Sequence, residues 1–598
     1  MRRAATILAV CGLLCGCSGE DSRSPGGGPT TTPAGEGRLN VRTYQACEPD
    51  DYKPVVGKRG GRLVLATFGQ GPKSFNPVTA GETSTTVYTN RIFEGLTELD
   101  AWTYQARPLL AESWTHDDSG RVWTVKLRKD VVWNDGTPFT ADDVVFTYMD
   151  VIYNPDITTS TRDIITVDGK QWTVEKVDDH TVRFTLPTRF AIFDKVLATE
   201  IIPKHKYAPM VEAGTFDSAM GLESETEDIV GTGAFLFDGY ETGVRVNLRR
   251  NPRYWRRDAA GNALPYLEGI TWLIVQNLDA MMLKFKQGQT DLYGPRGEDY
   301  PTLKPLEERG GFRIYAQGPN FGSSFVVFNQ NPGRNPENNR PFVEPYKRKW
   351  FEQTAFRQAV AYAIDKQGII DTVLNGLGYP QDGPMTFRAG YFYNDRIHQY
   401  RRDVEKAKGL LAGIGLTDRN GDGVLEDADG HRVEFALYTN AGNTVRERIA
   451  EIVRKDLQRV GMEVNLLFIE FNSLVTKLDK TYDWECILLG LTGGPEPHWG
   501  ANVWKSSGRM HMWYPKQPEP ATPWEARIDE IFVAGLQELD PAQRKRLYDE
   551  WQMIVNEQQP YVYTVAGEDL LAVRNRLKNV FVAPIGGALH NLHEIFVE

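Results

Sequence analysis

RPLLAESWTHDDSGRVWTVKLRKDVVWNDGTPFTADDVVFTYMDVIY, residues 107–153, reads as one complete unit of strand, turn and helix. Across residues 122–128, Trp123, Val125 and Leu127 alternate with Thr124, Lys126 and Arg128, the two-residue period of a half-buried strand. Asp135-Gly136-Thr137-Pro138 supplies turn chemistry, with Gly free to take positive φ and Pro pre-set for a bend. Thr140 is placed as an N-cap with Asp143 three residues on, and Asp142 and Asp143 suit the positive end of a helix. Val144, Val145, Phe146, Tyr148, Met149 and Ile152 supply its apolar side. None of these residues forms a catalytic constellation, so the unit speaks for architecture.

Toward the amino end, Met1-Arg2-Arg3 gives a short positive region, and residues 4–14 an apolar run too short for a permanent span. The run ends Leu14-Cys15-Gly16-Cys17 and resembles a bacterial lipoprotein signal, in which Cys17 becomes the lipid-bearing terminus; the competing reading is an ordinary signal peptide containing cysteines. Several acyl chains on one Cys meet the requirement for stable anchoring. Residues 18–59, rich in Gly, Pro, Ser and Thr with few large apolar residues, read as a flexible tether. No later segment has an apolar run long enough to span a bilayer, which predicts a soluble body.

The chain has 598 residues, so the body exceeds one compact core and two or three domains are expected. The formal net charge of -11, with mixed signs and no long basic run, argues against nucleic-acid binding. Of five cysteines, Cys11 and Cys15 leave with the signal and Cys17 is the lipid candidate, leaving Cys47 and Cys486 either to pair or to stand as independent thiols. Aromatic residues make up 11% of the chain, enough for large cores and for an aromatic-lined cleft.

The pattern from PLLAESW through WNDGTPFTADDVVF resembles the dipeptide- and oligopeptide-binding receptors of bacterial ABC importers. The resemblance recurs in order over roughly residues 60–590: in GGRLVLATFGQGPKSFNPVTAGETSTTVYTNRIFEGL (60–96), in the hairpin-like GTGAFLFDGYETGVRVNLRRNPRYW (231–255), in a strand and helix over 267–291, and in FEQTAFRQAVAYAIDKQGIIDTVL (351–374). It implies an α/β fold of two lobes with mixed sheets, an extra domain and a ligand cleft between the lobes. By the same resemblance, lobe I takes 60–98, 230–313 and 567–598, the extra domain 99–229, and lobe II 314–566. Hinge closure on a ligand is the implied action.

The resemblance also implies a site. The apolar run Asp483-Trp484-Glu485-Cys486-Ile487-Leu488-Leu489-Gly490 matches a lobe II strand that leads into a ligand-contacting loop, here Leu491, Thr492, Gly493, Gly494, Pro495, Glu496, Pro497, His498 and Trp499. Peptide receptors of this family carry in that loop an Asp that pairs with the ligand's ammonium group, a buried cation needing a charged partner. Gly493-Gly494 stands there instead, which removes the selector for a free amino end. Glu496 is the substitute carboxylate or a solvated loop residue. Thr492 and the Gly493 and Gly494 amides are candidate hydrogen-bonding groups. Trp499 and Trp504 are stacking walls or core, and His498 and His511 read as ordinary polar residues rather than metal ligands. On lobe I, Thr83, Ser84, Thr85 and Thr86 match the ligand-edge segment, with helix capping as the alternative; Thr85 and Thr86 are the candidates taken forward.

Asp418, Asn420, Asp422, Glu426 and Asp429 follow the spacing of an EF-hand calcium loop, with Gly423 at the sixth position and Asp where a bidentate Glu is expected. An acidic turn is the competing reading; a calcium ion there would be structural, and no other cofactor is expected. HExxH, GxSxG and GxxxxGK[ST] are missing from the sequence, so the usual residues of metalloproteases, serine hydrolases and NTPases are not supplied. A glycosidase with paired carboxylates remains the runner-up class. The expectation is a monomeric, non-enzymatic, lipid-anchored extracytoplasmic receptor. It would pass an oligopeptide, or alternatively an oligosaccharide or metal chelate, to an ABC permease with ATPase subunits.

Overall fold

The computed structural model describes residues 52–167 and 169–598. Residues 1–51, and with them the signal, Cys17, Cys47 and most of the expected tether, lie outside the described residues. Arg62–Phe68 runs parallel to Gly269–Val275, which pairs antiparallel with Arg245–Arg250 and through it with Phe235–Glu241, forming the four-stranded mixed sheet of the first lobe. The expected hairpin over 231–255 is this last pair, and its Phe235, Phe237, Val246 and Leu248 are buried as the alternation requires.

The opening stretch forms a second, antiparallel sheet of Ala111–His116, Val122–Leu127, Thr181–Thr185 and Thr173–Asp178. Its helix, Ala141–Val145, continues as a π-helical Phe146–Ile152. Burial surrounds this element on more than one side. Phe146 and Val151 join the first lobe's core, while Val144, Tyr148 and Ile152 join the core under the second sheet. Asp143 does more than cap: one oxygen accepts from the Thr140 amide at 2.9 Å and the Trp133 indole at 3.2 Å, the other from the Lys204 amide at 2.9 Å. Those three donors are what hold a carboxylate in a buried position whose desolvation raises its pKa.

The second lobe is built on a five-stranded sheet in the order Glu463–Ile469, Glu434–Asn440, Cys486–Leu491, Ser323–Phe328, Tyr561–Tyr563. Its central strands are apolar on both faces because both faces are covered. Val326, Phe328, Cys486 and Leu488 enter one core; Phe325, Val327, Ile487 and Leu489 enter the other. Cys486 is thus a fully buried core thiol. Two strands carry the chain between the lobes, Phe312–Pro319 outward and Val565–Arg574 back, and they pair antiparallel. Among the described residues no helix is long and apolar enough to cross a membrane.

Candidate ligand cleft

Strands Glu434–Asn440 and Cys486–Leu491 are parallel neighbours, so their carboxyl ends and the loops that follow lie at one edge of the second lobe. Ligands of open α/β sheets bind outside such ends. Thr492 and Gly493 are exposed here, and Leu491 and Gly494 are half-buried. A Cβ on Gly493 would stand 2.0 Å from the Phe321 carbonyl oxygen, so this backbone packs directly on the link between the outgoing crossing strand and Ser323–Phe328. A Cβ on Gly494 would meet only the Tyr104 hydroxyl, at 3.8 Å.

Glu496 does not serve as the substitute anchor. It is 4% exposed, and its two oxygens receive the Arg544 guanidinium at 2.8 and 2.5 Å. One of them also accepts from the His498 amide at 3.0 Å. Burial pushes this carboxyl up, but the charge and hydrogen bonds of Arg544 outweigh it and the net shift is downward. Both oxygens are committed to the fold. The solvated-loop alternative fails for the same reason.

Trp499 donates its indole N–H to Tyr104 and packs against the core beneath the antiparallel sheet. Trp504 is buried in the second lobe between Trp551 and Tyr561. His498 bonds the Ile164 carbonyl at 3.2 Å through Nε2, and burial lowers its pKa to about 4. His511 is fully buried and bonds the Val503 carbonyl at 3.0 Å.

On the opposite wall the Thr-rich run opens the helix Thr83–Ile92 rather than preceding it. Thr85 is fully buried, donates to Glu82 at 2.7 Å and accepts from the Lys73 amide at 3.2 Å, so it faces inward, away from any ligand. Thr86 is half-buried on the same turn. The residue that reaches across is Ser84, which donates to Asn472 Oδ1 at 3.2 Å; Asn472 in turn donates to the Gly71 carbonyl at 3.3 Å. Asn472 has no signal in sequence, since its partners are hundreds of positions away. Beside it a polar pocket of about 560 Å³ opens, lined by Gln70 of the first lobe and by Glu470, Ser473 and Lys477 of the second, among others. Further contacts close the seam. Arg296 donates to the Thr444 hydroxyl at 2.6 Å, and the Arg509 amide donates to Asp163 at 2.9 Å.

The calcium spacing also resolves differently. Asp418 accepts from the Gly421 and Gly423 amides at 2.7 and 3.0 Å. Glu426 is 5% exposed and accepts from the Arg419 amide at 2.8 Å and from Asn420 at 2.7 Å. Asp422 pairs with Arg432, whose guanidinium holds that carboxyl below its usual range. Oxygens at positions 418, 420, 422 and 426 are therefore turned to backbone amides and to a cation the chain itself provides, and Asp429 lies instead beside Asp427 and His431 at the surface. These contacts favour the acidic-turn reading.

The sequence profile for bacterial extracellular solute-binding proteins, family 5 Middle, matches residues 105–512. A probable ABC transporter-binding protein of Deinococcus radiodurans is 30% identical over 80% of this chain and 82% of its own. The oligopeptide-binding protein AppA of Bacillus subtilis, solved with a nonapeptide, is 26% identical with a TM-score of 0.78, covering 91% of this chain and 100% of its own. The periplasmic binding protein MelB of Agrobacterium fabrum, solved with stachyose, shares the fold at a TM-score of 0.79 and 22% identity, covering 91% of this chain and 86% of its own.

Proposed function

This chain belongs to the bacterial extracellular solute-binding proteins of family 5, the receptors of ABC importers, and we propose that it is a lipid-anchored member that captures an oligopeptide-like solute by closing its two lobes and delivers it to a membrane permease. The observation that carries the peptide reading is the exposure of Thr492 and Gly493 at the carboxyl end of a central strand. A loop with a glycine at its exposed end suits a ligand that is itself backbone, whatever its side chains. The nonapeptide held by AppA supports the same reading. Leu491, Thr492, Gly493 and Gly494 form one wall, with Thr86 and Ser84 opposite and Trp499 at the margin; Glu496 supports the loop from behind.

The paired crossing strands support closure as the capture step, because they are the segments that carry the chain from one lobe to the other. Closure gives the permease a difference between loaded and empty receptor. The solute is passed on unchanged, and ATP is hydrolysed by partner subunits. Cys17 carries the anchor in this reading; replacing it with Ser moves the protein from the membrane fraction to the soluble one. A non-peptide solute is the second reading, favoured by Gly493-Gly494 where a peptide receptor's Asp is expected.

The test is native mass spectrometry of the protein purified without refolding. A ladder of bound masses that fragment into amino-acid residues is the expected result. A single bound mass free of peptide fragments assigns a dedicated non-peptide solute.

A further inference from the structure

Lys53-Pro54-Val55-Val56-Gly57-Lys58-Arg59, the stretch by which the chain enters the body, is displayed rather than packed. Val55 is 61% exposed and Val56 50%, and Lys53, Lys58 and Arg59 are exposed beside them. This is not slack chain. The Val55 amide donates to Asn579 Oδ1 at 3.0 Å, and Asn579 Nδ2 donates back to the Val55 carbonyl at 2.7 Å. A Cβ on Gly57 would stand 2.6 Å from the Phe596 ring and 2.7 Å from that of Tyr266, and the Gly60 amide donates to the Tyr266 carbonyl at 3.0 Å. Tyr52, one residue before, sets its ring edge-on to Phe581 at 4.9 Å. The backbone is held on both sides of two valines that stand in water, although burying them would stabilise the fold.

The charges around the valines are of one sign. Among the described residues no carboxylate pairs with Lys53, Lys58 or Arg59, and Arg59 donates to the Ala263 carbonyl at 3.0 Å. Arg250, on the strand Arg245–Arg250, is pushed below its usual range by burial first and then by the like charge of Arg59, with Glu268 opposing. The nearby acids are engaged elsewhere: Glu598 with Lys578 at 2.7 Å, and Asp258 with the Tyr266 hydroxyl at 2.7 Å and Asn262 at 2.9 Å. In a chain of net charge -11 this is a local concentration of cations. Its place in the chain matters as well. The 51 residues that precede Tyr52, Cys17 among them, join the body at this spot.

We propose that Lys53, Val55, Val56, Lys58 and Arg59 form a contact with an anionic phospholipid surface, which turns this face of the first lobe toward the bilayer. Apolar side chains flanked by unpaired cations suit the headgroup boundary, where the valines leave water and the cations meet phosphates. A protein partner fits less well, because the cores of protein interfaces are poor in Lys and rich in aromatic residues, and this patch is the reverse. The contact goes beyond the receptor reading and does not require a lipid on Cys17. An acyl anchor limits how far the body can leave the membrane; this patch sets which face meets it.

The experiment is co-sedimentation with vesicles of the chain from Ser18 onward, which keeps every described residue and lacks both the apolar run 4–14 and Cys17. The vesicles are phosphatidylcholine alone, or phosphatidylcholine with about one-third phosphatidylglycerol, at low and at high salt. The chain is expected to bind the anionic vesicles roughly a hundredfold more tightly than the neutral ones, about fivefold for each of three cations, and to lose that preference at high salt. Lys58→Gln with Arg59→Gln should weaken anionic binding roughly twentyfold. Lys53→Gln with Lys58→Gln spares the Ala263 contact, should do the same, and covers the case in which loss of Arg59 disturbs the fold. Val55→Ser with Val56→Ser should weaken binding to both kinds of vesicle and leave the salt dependence in place. Lys349→Gln with Lys455→Gln, the same charge change on exposed lysines of the second lobe, should bind as the unsubstituted chain does. Equal binding to neutral and anionic vesicles, unchanged binding in the cation or the valine variants, or an equal loss in the second-lobe pair overturns the contact. Solute binding plays no part in this readout, so the receptor reading and the membrane contact stand or fall separately.

Discussion

Gly493 and Gly494 are adjacent but are glycine for different reasons. Gly493 is held by close approach: a Cβ at 2.0 Å from the Phe321 carbonyl forces the loop off the link that precedes Ser323–Phe328. Gly493→Ala is expected to destabilise the protein by about 1–3 kcal/mol, as overpacking does, measured by chemical denaturation. Gly494 has room, with the Tyr104 hydroxyl as its sole neighbour at 3.8 Å. Gly494→Asp should therefore fold with stability within about 0.5 kcal/mol of wild type. It should also bind peptides with a free amino end more tightly than their N-acetylated forms; equal binding of the two by titration calorimetry would remove Gly494 from the amino-end position. Glu496 belongs to the fold in the same sense as Gly493. Glu496→Ala leaves the buried Arg544 unpaired, and a loss of about 3–5 kcal/mol is expected, against little change for an exposed loop carboxylate. From sequence, Glu496 offered a carboxylate two residues from the missing Asp. What turned it inward is Arg544, on a separate helix, a pairing that spacing along the chain does not encode. Thr85 misled for a similar reason: the run of hydroxyls is legible, the face of the helix on which each falls is set by packing.

Elements with local signals were legible. The alternation at Trp123, Val125 and Leu127, the cap at Thr140 and the hairpin over 235–250 all depend on near neighbours. The acidic loop over 418–429 shows the limit, since its spacing satisfies a metal-loop pattern while Arg432, just beyond it, supplies the positive charge. The crossing ribbon had no signature of its own, because its two strands are separated by the whole second lobe. Beyond its backbone pairing, one side chain braces both strands at once. Arg388, 5% exposed, pairs with Asp569 on the returning strand at 2.5 Å, donates to Gln317 on the outgoing strand at 3.1 Å and to the Pro584 carbonyl at 2.8 Å, and lies over the Phe321 ring. Arg388→Met keeps much of the stem and removes every one of those donors. Asp569 is partly exposed and can hydrate, so the expected loss is about 2 kcal/mol rather than the full cost of an orphaned buried pair. Faster hydrogen exchange confined to 312–319 and 565–574 is the signature of a loosened ribbon; unchanged exchange there would show that the strands hold each other without Arg388.

The whole molecule is closed along more than one seam, and one of them is sensitive to acid. Leu536 and Val533, from the second-lobe helix Pro523–Gln537, pack into the core beneath the antiparallel sheet, and the Ala191 amide donates to the Leu536 carbonyl at 2.8 Å. His498 sits in the same seam, 2% exposed, against the Phe190 ring and the Ile164 carbonyl. Burial is the main cause of its low pKa; Glu496 favours the proton, while Arg544 and Lys505 oppose it. Its folded pKa of about 4 lies below the ordinary 6.5, so between those values the unfolded chain binds the proton and the folded chain does not. Stability must then rise with pH across that window, and fall on acidification by up to about 1.4 kcal/mol per pH unit for this one group. Glu525, held at about 2, adds its own loss only once the pH drops below the ordinary carboxylate range of 4.5. His593, on the first lobe, is also pushed well below its usual value and acts in the same direction as His498. His498→Gln keeps an N–H for the Ile164 carbonyl and has nothing to protonate. Its unfolding free energy, measured from pH 7 to 5, should therefore decline less steeply than that of wild type by about one proton's share, with the His593 contribution remaining. Identical slopes in the two proteins would mean that His498 charges without penalty, and that the seam between the second lobe and the antiparallel-sheet domain admits water as it stands.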